Sequence, residues 1–598
     1  TTLFCYIFRG SFDMYRSTND LPFKEIFTVD FEFYGEEGEI KTPVCMAVRD
    51  LKSGAVCRYW QDELLNMEEP PFDTGVKSLF VAYYASAEIA MFKVLGWEPP
   101  ANILDLFTEF VCNTNGQEPR FGRGLVGALK YFNLSSIGAE EKDQMRRLIL
   151  SRGPWSQKQK IDILDYCQTD VDVLVPLLEA MVARWINSPN ELGRAQLRGR
   201  YMTAVAAMEY NGVPIDVPLL TLLQANWSKI QLKLVEEVDR SYGVYEGKTF
   251  KVKKFEAYLA KNSIAWPRLE SGKLNLKRET FSDRSKTEPR IAPLHALRKT
   301  LSVLNLNNLA VGPDERNRCM ISAFKAKTGR NQPSNSQFIF GPAKWFRGLI
   351  KPAEGNSIAY LDWSSQEIAV AAALSGDEKM WNDYATGDPY ISFAIQAGLA
   401  PIGANKLTHP YERSLCKQIV LGTQYGMSAR GMADRTGIHI IEAQELLQKH
   451  GETYRAFWTW AKQNVNTGLA GFPLSTKFGW RMCVGAGSKP KPNTFLNWPM
   501  QAHGAEMLRF ACCLATEAGL KVCAPIHDAL LLEAPTSEIT EQIARLSGHM
   551  REASEFILGT GKFCGVEAEV FHYPDRYMDE NGKDMWGRIM RLLEEVQP

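Results

Sequence analysis

The chain has 598 residues, too many for one hydrophobic core, so several domains or subdomains are expected. Its 69 basic and 69 acidic side chains cancel, which excludes a uniformly basic coat for a polyanion but leaves room for a locally basic groove. The balance of 45% hydrophobic and 23% charged residues is that of an ordinary globular protein. No apolar run is long enough to span a membrane, no signal peptide stands out, and none of the twelve cysteines has CxxC spacing. Reduced cysteines in a cytoplasmic protein are the expectation.

The first strong element is EIFTVDFEFYG, a strand in which Asp30 and Glu32 alternate with Val29 and Phe31. A period of two puts both carboxylates on one side. LFVAYYASAEIAMFKVLGW reads as a strand running into a helix, with Glu88 near the junction. IDILDYCQTDVDVLVPLLEAM reads as a long helix that presents Tyr166 and Asp170 from one face. Four carboxylates and a tyrosine suit two Mg²⁺ ions and an oriented water, the equipment for phosphodiester hydrolysis. Asp105, in NILDLFTEF, is the rival to Glu88 for the third carboxylate.

This order resembles the DEDDy type of 3′–5′ proofreading exonuclease, an RNase H-like domain. Its usual third Asp is Glu88 here, and the Asn or His expected ahead of it is Tyr84. The resemblance implies that Asp30, Glu32, Glu88 and Asp170 are metal ligands and that Tyr166 assists catalysis.

A junction is expected in the polar, Pro- and Gly-containing NSPNELGRAQLRGR, residues 187–200. AAMEYNGVPID then reads as a helix stopped at Asn-Gly and turned into a new element. Residues 217–305 are helical and basic in places, notably at Lys248, Lys251, Lys253 and Lys254. These lysines form either a solvated face or a grip on duplex phosphates.

SIAYLDWSSQEIAVAAALSGD is an apolar strand ending at Asp362 and followed by a helix, where Ser364 and Glu367 fit a capping box. In YERSLCKQIVLGTQYGM, helical spacing puts Arg413, Lys417, Leu421 and Tyr425 on one broad face just before Gly426. Two cations there suit a triphosphate, and an apolar and an aromatic residue suit a flat ring. KVCAPIHDALLLEAP reads as a hairpin with His527 and Asp528 at its tip.

With TGR at 328–330 and NWPMQ at 497–501, these segments resemble the family A DNA polymerases over nearly the whole chain. The implied fold class is α/β multidomain, an RNase H-like exonuclease domain plus a right-hand polymerase domain. The expected divisions are an N-terminal segment at 1–23, the exonuclease at 24–190 and the polymerase at 191–598. Within the last, the thumb is expected at about 205–310, the palm at about 311–375 and 490–598, and the fingers at about 376–489. The segment ahead of residue 24 is expected to be too short for a 5′-nuclease domain.

The resemblance implies that Asp362 and Asp528 hold metal, and that Arg413 and Lys417 bind the triphosphate, with Lys417 a general acid for pyrophosphate. Tyr425 would lie under the nascent base pair, beside Leu421 and Gly426. Glu367 would exclude a ribose 2′-hydroxyl. Arg347, Asn497, Gln501 and His527 would contact primer, template or minor groove, where donors test pair shape without reading sequence. Expected cofactors are two Mg²⁺ at each site, with Mn²⁺ as a substitute. Expected partners are primer-template DNA and dNTPs, with no membrane, in a monomer; replisome proteins are not identifiable.

Ala369, Leu421, Asn493 and Ala529 depart from the family pattern and point toward phage replicative members. Asn493 and Ala529 are also compatible with copying a genome that carries 2-aminoadenine. Two other readings are a single-subunit RNA polymerase and a nucleic-acid-binding scaffold with decayed sites. Glu367 and the exonuclease set argue against the first, and the retained aspartates against the second.

Overall fold

The computed structural model describes residues 14–597, apart from 136–137, 302–305, 307 and 486–489. Alternation at residues 25–34 produces β1 (Glu25–Tyr34), whose Val29 and Phe31 are buried. It is the centre of a five-stranded sheet with β2 (Thr42–Asp50), β3 (Val56–Trp60), β4 (Ser78–Ala82) and β5 (Ile103–Asp105), in the order β3-β2-β1-β4-β5. The first three strands are antiparallel, whereas β4 runs parallel to β1 and β5 parallel to β4. This is the strand order of the RNase H-like fold. Helices α1 (Ser86–Leu95) and α2 (Leu106–Thr114) follow β4 and β5, and α3 (Ala139–Leu150) and α4 (Gln157–Arg184) pack against β1.

Residues 187–200 are not a linker. They form the first half of a 23-residue helix, α5 (Pro189–Asn211), whose N-cap Ser188 accepts a hydrogen bond from the Glu191 amide. The proline occupies the first turn, where a missing N–H costs nothing. Gly199 is a packing residue, because a Cβ there would collide with the Ile103 carbonyl of β5. The helix ends at Gly212 (φ 60°), as Asn-Gly predicts. It packs on α1 and β5 on one side, and one apolar cluster runs from Phe27 and Phe31 through Tyr201 and Val205 to Phe324 and Trp480.

The next stretch is helical as expected: α6 (Val217–Asp239), α7 (Val252–Lys261), α8 (Arg278–Thr287) and α9 (Ala292–Leu301). Its lysines are largely engaged locally. Lys251 and Lys254 pair with Glu246 at 3.1 and 3.0 Å, and Lys248 donates to Ser228 at 3.0 Å.

A second sheet is antiparallel throughout. It consists of β6 (Asn356–Trp363), β7 (Val522–Ile526), β8 (Ala529–Pro535) and β9 (Val566–His572), in the order β7-β8-β6-β9. Between β6 and β7 lie α10 (Gln366–Ser375), α11 (Pro389–Gln396), α12 (Pro410–Gln424), α13 (Ala429–Thr436), α14 (Ile440–Thr453), α15 (Arg455–Leu469) and α16 (Pro492–Glu517). Helix α16 packs on α5 and on α17 (Ile539–Leu558), and α18 (Lys583–Val596) packs on α6. Among the described residues no helix is long and apolar enough to cross a membrane.

A buried ion pair on α5 joins α2 to the segment at Phe478. Arg198 of α5 donates to both carboxylate oxygens of Glu109 of α2, at 2.6 and 2.8 Å, and to the Phe478 carbonyl at 2.9 Å. Removing one partner strands a charge in the core. Arg198→Ala is therefore expected to cost about 3–5 kcal/mol in urea unfolding, and Arg198→Met with Glu109→Leu much less. Equal losses in the two proteins would show that packing, not the stranded charge, sets the cost.

Candidate active sites

The first centre sits on β1 and α4. Asp30, Glu32 and Asp170 bring carboxylate oxygens within 4.8 Å of one another. The strand period supplies the first two, and a helical turn sets Asp170 beside Tyr166. Burial, reinforced by the Asp170 charge, pushes the Asp30 carboxyl up to about 8. Burial also raises Glu32, with the Asp30 charge adding to it, and raises Asp170 and the Tyr166 phenol. The donors are all hard carboxylate oxygens, which fits Mg²⁺ or Mn²⁺.

Glu88 stands apart from this trio. It is buried on α1, and its Oε2 accepts the Phe31 amide at 2.7 Å. It still feels the Asp30 charge, which with burial raises its carboxyl. Asp105 is fully committed to structure, accepting from the Tyr84 and Phe107 amides at 2.9 and 3.0 Å and from Thr108 Oγ1 at 2.8 Å. Sequence reasoning missed Lys142, on α3. Its ammonium lies 2.7 and 2.8 Å from the two oxygens of Asp170 and 5.7 Å from the Tyr166 ring centre.

The second centre forms at one end of the second sheet. Asp362, next to last in β6, lies opposite Ala529 of β8 and Glu567 of β9. Asp528 precedes Ala529 in the tight turn from β7, where His527 takes φ 55°. Burial first, and the Asp528 charge second, push Asp362 up to about 6, while Lys417 pulls it down. Two carboxylates on neighbouring strand ends again make a hard oxygen site suited to Mg²⁺.

A chain of contacts leads away from Asp528. Arg330 of the TGR segment lies 2.6 Å from Asp528 and 3.9 Å from Glu367. The Tyr425 hydroxyl donates to Glu367 at 2.7 Å and accepts from Gln501 of α16 at 3.0 Å. The capping box expected at Ser364 and Glu367 does not form. The N-cap is Ser365, with φ 51°, and the Ser364 hydroxyl donates to Glu567 at 2.9 Å. Tertiary partners outcompete the local cap.

The stripe on α12 is nearly as expected. Arg413 and Lys417 both lie against Tyr390 of α11, 5.5 and 5.6 Å from its ring centre, and Arg413 pairs with Asp388 at 2.5 Å. Leu421 is half-buried against the core. The helix ends at Gln424, so Tyr425 is its cap residue and not part of the cylinder. Gly426 takes φ 68° and offers its carbonyl to Asn493 at 3.0 Å; a Cβ there would meet the Asn493 side chain at 2.6 Å.

Three expected residues are not joined to this network by a direct bond. Arg347 pairs with Asp579 at 2.6 Å, and Asn497 Nδ2 is buried with no hydrogen-bond partner among the described residues. Burial lowers His527, which faces Asp528 and the guanidiniums of Arg330 and Arg347. Asn493 donates to the Gly426 carbonyl, and Ala529 is fully buried in the sheet.

Residues 296–564, which contain Arg330, Asp362, Glu367, Tyr425, Gln501 and Asp528, match the family model for DNA polymerase family A. The matched stretch does not include Asp30, Glu32, Glu88 or Asp170. Among curated relatives, DNA polymerase I of Aquifex aeolicus is 25% identical over 392 residues, 62% of this chain and 65% of its own. A DNA polymerase of Mycobacterium phage D29 is 25% identical over 261 residues, 42% of each chain. The thermostable DNA polymerase I of Thermus aquaticus is 28% identical over 211 residues, a quarter of its length. The chain thus spans less than two thirds of each of these relatives. The POL domain of Pol1 from M. smegmatis, solved with DNA primer-template and dNTP, shares the fold. Its TM-score is 0.65 at 18% identity, over 91% of this chain and 95% of its own.

The raised Asp30 carboxyl has a measurable consequence. As pH rises past 3.8 the unfolded chain gives up this proton, whereas the folded chain keeps it until about 8, so metal-free stability falls across that window. In EDTA the unfolding temperature is expected to drop between about pH 5.5 and about pH 8, with Asp30→Asn showing a shallower drop. Parallel slopes in the two proteins would clear Asp30 of that role.

Proposed function

We propose that the chain is a template-directed DNA polymerase that extends a primer from dNTPs, with a 3′–5′ exonuclease that removes a mispaired end. The observation that carries the polymerase reading is the unbroken run Asp528–Arg330–Glu367–Tyr425–Gln501 beside Asp362. Asp362 and Asp528 would hold Mg²⁺, which would supply activation of the primer hydroxyl and stabilisation of the leaving pyrophosphate.

The chain's own residues do the rest. Arg413 and Lys417 meet the triphosphate, and Lys417 gives its proton to the departing pyrophosphate. Tyr425 supports the new base pair. Its bond to Glu367 holds that carboxylate where a ribose 2′-hydroxyl would have to go. Gln501, Asn497, Arg347 and His527 face the primer, the template and the minor groove, and Asn497 has an unspent donor for that purpose. Arg330 bonds Asp528 at 2.6 Å and would be free to meet the DNA if a metal took its place there.

The exonuclease reading rests on the trio Asp30, Glu32 and Asp170. Glu88 supports it at a distance, and Tyr166 orients the attacking water. Replication of a phage genome is the setting we favour, on the likeness to the phage D29 polymerase.

The two activities are expected to separate cleanly. Asp362→Ala should slow primer extension about a thousandfold or more while single-stranded 3′ ends are still degraded, and Asp30→Ala should do the reverse. Loss of both activities in either variant would contradict two independent centres, and a parent chain that does not extend a primed template would end the polymerase reading. Leu421→Phe is expected to change the relative use of dideoxy- and deoxynucleotides. An unaltered ratio would place residue 421 out of reach of the sugar.

A further inference from the structure

We propose that Lys142 is a tethered counter-ion of the exonuclease carboxylates, which takes the place of one divalent cation in the metal-free protein and competes with it for Asp170. The proposal deepens the exonuclease reading above and rests on it. Three carboxylates gather within 4.8 Å at Asp30, Glu32 and Asp170. Among the described residues one ammonium reaches them, and it is bound by both oxygens of Asp170, at 2.7 and 2.8 Å. Neither oxygen is then free to serve a metal unless the ammonium shares it or leaves.

The pair is shielded from water, with side-chain exposures of 22% for Lys142 and 10% for Asp170, so it is stronger than a surface salt bridge. A divalent ion arriving at Asp170 meets a positive charge already in place. The same ammonium lies 5.7 Å from the Tyr166 ring centre, so it also guards the residue assigned to the water. Its position is set by α3, which packs on β1 and α4, the two elements that carry the trio.

Lysine suits this task better than arginine. Its head is a compact, strongly hydrated charge on a flexible stem, able to swing into solvent when a metal outcompetes it. Asp170 and Tyr166 are then released in one event. Proofreading would switch on above a threshold of metal, while the metal-free cluster stays neutralised.

The test uses Mn²⁺ alone, its bound fraction read by electron paramagnetic resonance. The full chain carries Asp362→Asn and Asp528→Asn, so that the polymerase carboxylates do not contribute. Lys142→Gln is expected to bind Mn²⁺ about tenfold more tightly than its parent, and Lys142→Arg to bind it as weakly as the parent. In EDTA, Lys142→Gln should melt at a lower temperature than the parent, with the gap closed by saturating Mn²⁺. Unchanged or weaker Mn²⁺ binding in Lys142→Gln would overturn the proposal, as would a lack of Mn²⁺ binding that depends on Asp30 in either protein. The exonuclease reading fails separately, if the chain with the Lys142 side chain intact releases no nucleotides from a single-stranded 3′ end in Mg²⁺.

Discussion

Carboxylates that must stand within a few ångströms of one another repel, and both centres of this chain are organised around that repulsion. Each cluster is fixed by backbone geometry that the rest of the fold enforces. Asp30 and Glu32 share one face of the central strand of the first sheet, and Asp362 and Asp528 share one end of the second. Each cluster also holds a cation of its own, Lys142 on Asp170 and Arg330 on Asp528. The two cations differ in kind. The Arg330 fork reaches both Asp528 and Glu367, so it links the end of the second sheet to the start of α10. The Lys142 ammonium bonds a single carboxylate among the described residues, and its charge is felt by Asp30 and Glu32 as well.

Such clusters tolerate little movement, and α5 provides the rigidity. It lies against β5 at a glycine, runs on to pack against α16 and β7, and buries Arg198 in a bond that spans both halves. The shared apolar cluster means that neither sheet has a complete core without the other. The distance between the two centres is accordingly a property of one packed body and not of a hinge.

The sequence made the carboxylates legible because periodicity is local. DFE on a strand, YCQTD on a helix and IHD in a hairpin each need only a few neighbours to be read. The long-range pairings were not legible. Arg330 and Asp528 are 198 positions apart, and no periodicity announces that Lys142 turns toward Asp170. Tyr390, which backs the two cations of α12, looks like any core aromatic until α11 is seen beside α12. That the junction expected at residues 187–200 is helical from Pro189 was not legible, for a clear reason. Proline at the first turn of a helix and glycine at a close contact are the same letters that mark a linker. The capping box at Ser364 failed for the opposite reason, since Glu367 had a better partner in Tyr425, 58 positions away.

The end of α12 shows how such distant partners take over from local structure. At Tyr425 the helix has already stopped, with φ −88° and ψ 4°, and Gly426 turns the chain left-handed. The tyrosine ring is therefore not aimed by the helix. It is aimed by Glu367 on one side and Gln501 on the other, while Asn493 holds the Gly426 carbonyl behind it. Three bonds from two other helices, α10 and α16, converge on two residues, so any motion of α12 toward the second sheet must be felt at Glu367. Breaking the Tyr425–Glu367 bond would leave a partly buried carboxylate without its donor, a cost set by desolvation and not by sequence.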